Sequence, residues 1–115
     1  MNSSPAIELP YTRKSFERLL EHGCVPAASP FTHKQIAEWC DRFWCKYIDV
    51  DAPEDIAILL PLLTEIETQW DLYLVNTYDS KQLQTEDFES VCLPTEWFEG
   101  WLKQIQIGAP RPSDA

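Results

Sequence analysis

The chain has 115 residues, is 44% hydrophobic with five tryptophans, and carries 19 acidic against 9 basic side chains, a formal net charge of −10. That length suits a single domain whose folding removes roughly two-thirds of the unfolded surface from water, and the apolar content excludes a fully disordered chain. Charge of this sign disfavours nucleic acid and anionic membrane surfaces and speeds encounter with a basic partner.

The charge is unevenly placed. Residues 1–50 balance six acids against six bases, whereas residues 51–99 hold twelve acids and the single base Lys81. The most apolar run, 56–63, is interrupted by Pro61 and falls far short of the ~20 residues a membrane helix needs. Residues 1–10 have neither the basic nor the apolar region of a secretion signal, so a cytoplasmic location is expected, with Cys24, Cys40, Cys45 and Cys92 reduced.

In chain order, residues 1–10 carry Pro5 and Pro10 without periodicity and read as an extended arm. Residues 12–22 form a short helix with Phe16, Leu19 and Leu20 on one side, surface pairs Lys14 with Glu17 and Arg18 with Glu21, and Gly23 as the left-handed residue that ends it. Residues 24–30, with Pro26 and Pro30, cross to the next helix without regular hydrogen bonding. The clearest segment is 31–47, where Ile36, Trp39, Cys40, Phe43, Trp44 and Tyr47 fall on one helical stripe. Thr32 caps it, Gln35 completes a capping box, and Phe31 with Ile36 forms a hydrophobic staple.

Asp51 and Glu54 signal another helix start, and a third helix runs over 52–78 with Ile56, Leu59, Leu60, Leu63, Ile66, Trp70, Tyr73, Leu74 and Thr77 inward. Pro61 cannot donate to Ala57, yet the stripe continues in phase, so a kink is expected rather than a split. Glu65, Glu67 and Asp71 are assigned to the solvent side, while Leu72 and Val75 are apolar off the stripe. A loop over 79–84 follows, then Thr85 caps a brief turn with Glu86 and Asp87 and an apolar face of Phe88, Val91 and Cys92. Pro94 stops that turn, and a last helix from Leu93 or Thr95 places Trp97, Phe98, Trp101, Leu102 and Ile105 at helical spacing. Gly100 inside it costs about 1 kcal/mol relative to alanine and suggests a neighbour in close approach. Gly108 and residues 109–115 form a mobile tail. The expected fold is an all-α, compact bundle of four to five helices with a long, Pro-kinked third helix. Residues 11–108 make one domain, with helices 32–47 and 52–78 as its central packed pair.

Chemistry finds little support. Three glycines leave no phosphate loop, the two histidines mark no triad, and Ser15, Ser29, Ser80 and Ser90 lack a nucleophile elbow. A zinc site from His22, Cys24 and His33 lacks ligand spacing, Cys40 and Cys45 lie about 140° apart round a helix, and no inward Glu-x-x-His exists. No catalytic residue, metal or cofactor is expected. The leading expectation is a non-catalytic acidic binding protein of inhibitor or immunity type. It presents Glu65, Glu67, Asp71, Tyr78, Glu86, Asp87 and Glu89 to a basic protein partner, with no direct nucleic-acid or membrane binding. The alternative is a structural or adaptor subunit that forms a homodimer through an apolar patch near Trp97 and Trp101. A small enzyme or metal protein comes third.

Overall fold

Helix α2 (His33–Tyr47) forms where apolar spacing and start signal coincide. Thr32 Oγ1 accepts the Gln35 amide at 3.0 Å and the Thr32 amide donates to Gln35 Oε1 at 2.8 Å, a complete capping box. Ile36, Trp39, Cys40 and Phe43 are wholly buried, with Trp44 and Tyr47 half-buried at the edge of the stripe. Burying a large apolar side chain contributes about 1.5–3 kcal/mol, so the stripe, more than intrinsic propensity, holds the helix. The computed structural model describes residues 6–85, 88 and 91–108, residues 107 and 108 by backbone alone. The expected tail, 109–115, lies outside the described residues, as do residues 1–5 of the arm.

Helix α1 (Arg13–Cys24) is capped by Thr12, whose Oγ1 accepts the Ser15 amide at 3.1 Å. It runs through Gly23 instead of stopping there. No described glycine has a positive φ, so Gly23 is not the left-handed terminator expected from its position. Its lack of a side chain serves packing: the Phe98 ring sits so close that a Cβ on Gly23 would overlap it. The following crossing contains one 3₁₀ turn, Pro26–Ala28. Among the described residues the α1 ion pair is Arg13 with Glu17 at 2.9 Å, four residues apart, in place of the three-residue pairs expected. Arg13 also donates through Nη2 to the Ile105 carbonyl at 2.8 Å.

The long third helix is kinked, and the kink falls at residues 58–59. Helix α3 (Glu54–Ala57) precedes it and helix α4 (Leu60–Thr77) follows. Ile58 and Leu59 keep right-handed helical dihedrals, and the Leu59 amide tightens to the Ile56 carbonyl at 2.9 Å. Pro61 thereby occupies the first turn of α4, where its missing N–H has no partner to lose. The buried stripe passes through in phase: Ile56, Leu59, Leu63, Ile66, Trp70 and Leu74 are all buried. The start lies at Glu54 and not at Ala52, because Pro53 takes the cap position and no side chain caps.

Helix α5 (Ser80–Thr85) replaces the expected 79–84 loop. Asp79 and Gln82 exchange side-chain and backbone bonds at 2.8 and 3.0 Å, a second capping box. Thr85 therefore ends a helix where it was expected to start one, and its hydroxyl donates to the Lys81 carbonyl. Helix α6 (Thr95–Lys103) follows Pro94 and continues into a π turn, Gln104–Gly108. No strand occurs among the described residues. Helix α2 packs chiefly on α4, as the expected central pair, and α1 packs chiefly on α6. Residues 6–10 lie across α2, held by Trp39 Nε1 donating to the Leu9 carbonyl at 3.2 Å and by buried Ile7.

The close approach expected at Gly100 occurs at Gly23 instead, since a Cβ on Gly100 would meet nothing within 4 Å. Gly23→Ala should lower stability by about 1–3 kcal/mol through overpacking, whereas Gly100→Ala should raise it by about 1 kcal/mol. Midpoints of urea unfolding check both signs.

Candidate functional site

Helix α6 is placed by a histidine. His33, in the first turn of α2, is 1% exposed, and its two ring nitrogens face different segments. The Leu93 amide donates to Nδ1 at 2.8 Å, so the proton of the neutral ring sits on Nε2, which donates to the Gly23 carbonyl at 3.0 Å. The Phe98 ring lies 4.2 Å from the imidazole centroid. Burial lowers the His33 pKa, with the Gly23 bond opposing the shift. His33 thus ties the end of α1, the start of α2 and the approach to α6, a role that removes it from the zinc set considered with His22 and Cys24. Among the described residues no group of three His, Cys, Asp or Glu side chains converges to hold a metal ion.

So fixed, α6 meets α4 along a groove of about 350 Å³. Trp101 is buried, and its Nε1 donates to Glu65 Oε2 across the two helices at 3.0 Å. Trp97 is half-buried and edge-on both to Tyr73 at 6.2 Å and to Trp101 at 6.3 Å. Glu96, Gln69 and Gln104 complete the walls, and Gly100 leaves one side low. Periodicity marked Trp97 and Trp101 as apolar stripe residues. It could not show that an acid from the other half of the chain caps an indole.

The seven residues expected to meet a partner do not share one face. Glu65 and Glu67 are two apart, about 200° round α4. Glu65 turns to α6, while Glu67 turns to α2. There the Glu67 carboxyl is hydrogen-bonded to Asp71 and pushed up to about 7, by that bond first, then by desolvation and by the charges of Asp71 and Asp41. Tyr78, at the end of α4, is half-buried with its ring 5.2 Å from Phe88. Glu86, Asp87 and Glu89 lie outside the described residues.

The cysteines offer no activated thiol among Cys24, Cys40 and Cys45. Burial, then Glu99 and Glu21, raises Cys24, and burial pushes the enclosed Cys40 far up. Partial desolvation and the carboxylates Asp41 and Glu67 raise Cys45, whose Sγ lies 3.9 Å from Asp41 Oδ1. Among the described residues the exposed large apolar ones are Val25, Ile48, Val50, Leu72 and Val75, none of them at Trp97 or Trp101. No described helix is long and apolar enough to cross a membrane. No protein-family model, no curated protein and no solved structure matches the chain.

Two pH effects follow. The stabilisation tied to neutral His33 should be complete above the ordinary histidine range near pH 6.5 and fall as pH drops through it toward the lower folded value. His33→Ala should cost about 2–4 kcal/mol at pH 7.5 by orphaning the Leu93 amide and opening a cavity, and should flatten that acid limb. Glu67 works oppositely. Its raised folded pKa means stability is retained below its ordinary value and lost as pH climbs through about 7. Glu67→Gln should remove this decline, a gain at pH 8 of less than about 1 kcal/mol given solvent screening. Unfolding curves across pH 4–8 read both.

Proposed function

We propose that the chain is a non-catalytic binding protein, of inhibitor or immunity type, that engages a basic protein partner through the acids of its second half. The observation that carries this reading is uncompensated charge. Among the described residues the ion pair at contact distance is Arg13 with Glu17, inside the balanced first half. Asp51, Glu54, Asp55, Asp71, Asp79, Glu96 and Glu99 are exposed with no described lysine or arginine at ion-pairing distance. Acids in first helical turns, such as Glu54, Asp55 and Glu96, gain from the helix dipole. Asp79 caps α5, but Asp71, inside α4, has no such reason, and accumulated like charge opposes folding unless a partner or counterions offset it. The non-catalytic part rests on His33 having both nitrogens engaged in backbone bonds and on the raised thiols.

Exposed Leu72 and Val75, three apart on the outer side of α4, favour a second reading as a homodimeric structural or adaptor subunit. Salt separates the two. Captured from native lysate on the immobilised protein, a basic partner should elute at moderate salt, and Glu67→Lys with Asp71→Lys should slow its association about tenfold or more and flatten the salt dependence. Recovery of the bait alone, as a dimer indifferent to salt, would replace the first reading with the second.

A further inference from the structure

We infer that the groove between α4 and α6 is a binding site for an arginine side chain of the basic partner, with the guanidinium on the Trp97 indole between the carboxylates of Glu65 and Glu96. This rests on the proposed engagement of a basic protein and names the contact that anchors it. Three independent features converge. The first is chemical: the lining pairs two indoles with two carboxylates and two amides and includes no cationic side chain, although Lys103 lies on the same helix one turn beyond Glu99. Aromatic face together with anionic oxygen is the environment that recognises a cation, and indole is the best of the aromatic faces.

The second is geometric. Trp97 is gripped between Tyr73 and Trp101, so its indole is oriented before anything binds and little rotamer freedom is left to lose. Glu65 is held likewise: Oε2 accepts from the Trp101 indole, which leaves Oε1 to accept from a ligand. The third is the glycine. Gly100 sits within α6, where glycine is unfavourable relative to alanine, yet no atom of the chain approaches the place of its missing Cβ. The helix gains nothing internal from it. Gly100 does line the groove, where a methyl would narrow the open side next to Glu96 and Trp97. The dipole of α6 accounts for Glu96, but it accounts for neither the exposed glycine nor Glu65.

Arginine fits better than lysine. A planar guanidinium stacks on an indole while its forked N–H groups reach several acceptors at once, here Glu65 Oε1, the Glu96 carboxylate and the side-chain oxygens of Gln69 and Gln104. An ammonium on a flexible stem meets fewer of them.

The test titrates the full chain with the peptide Ac-Gly-Arg-Gly-Arg-Gly-amide and with its lysine and citrulline counterparts, following the indole and side-chain amide signals by ¹H–¹⁵N NMR. Saturable shifts of the Trp97 and Trp101 indoles are expected with the arginine peptide. Citrulline, which keeps the shape and loses the charge, should bind about tenfold more weakly, and lysine about threefold. Glu96→Gln, Trp97→Leu and Gly100→Ala should each weaken binding about three- to tenfold. Gly100→Ala is expected to raise stability, and its urea midpoint separates a loss of binding from unfolding. Asp71→Asn, across α4, should leave the indole shifts in place. Arginine-dependent shifts confined to α2 and the Asp71 side of α4 would overturn the groove while leaving the acidic reading intact. Equal binding of the lysine peptide, or indifference to Gly100→Ala, would also overturn it. No binding anywhere would remove both.

Discussion

The bond pair made by His33 decides where the last helix goes. A neutral imidazole in the first turn of α2 accepts from the Leu93 amide and donates to the Gly23 carbonyl, so three segments, one of them 60 residues away, meet on one ring. Phe98 then covers both the imidazole and the bare Cα of Gly23. Helix α6 has nine residues, too few to be stable alone in water. Its existence as a helix and its position both follow from this docking. The arrangement also requires an uncharged ring, because a protonated one could not accept the Leu93 amide.

From that placement the rest of the acidic half acquires its geometry. Once α6 is seated on α1, its two tryptophans reach α4, and Trp101 takes Glu65 as the acceptor for an indole N–H that would otherwise be buried without a partner. The same helix turns Glu67 the other way, into the neighbourhood of Asp41 and Cys45 on α2. The surplus charge is thus divided. One carboxylate serves a structural bond and borders a groove, another is pushed toward neutrality by its neighbour, and others stand exposed without a cation. Negative charge close to neutral pH is therefore smaller between α2 and α4 than residue counting implies.

Much of the architecture was legible in the residues themselves. The 31–47 stripe and its Thr32–Gln35 box describe α2, Thr12 is the cap of α1, and Pro61 announces a break in the third helix without loss of phase. These signals are local. They depend on hydrogen bonds within one turn and on which side chains a 3.6-residue repeat places together. The box between Asp79 and Gln82 belongs to the same class and was readable too, but the polar stretch around it has no apolar stripe to accompany the cap.

What tertiary structure alone decided is who meets whom. Gly23 and Gly100 look alike in sequence, and only the arrival of Phe98 from 75 residues away makes the first a close approach and leaves the second open. Glu65 and Glu67 look like one acidic face until opposite neighbours claim them. His33 looks like a stray ligand until Gly23 and Leu93 converge on it. Local sequence determined the main helices and the capped starts of α1 and α2, because backbone hydrogen bonding is satisfied over four residues; the site had to await packing, because its parts come from helices that touch only in the folded chain.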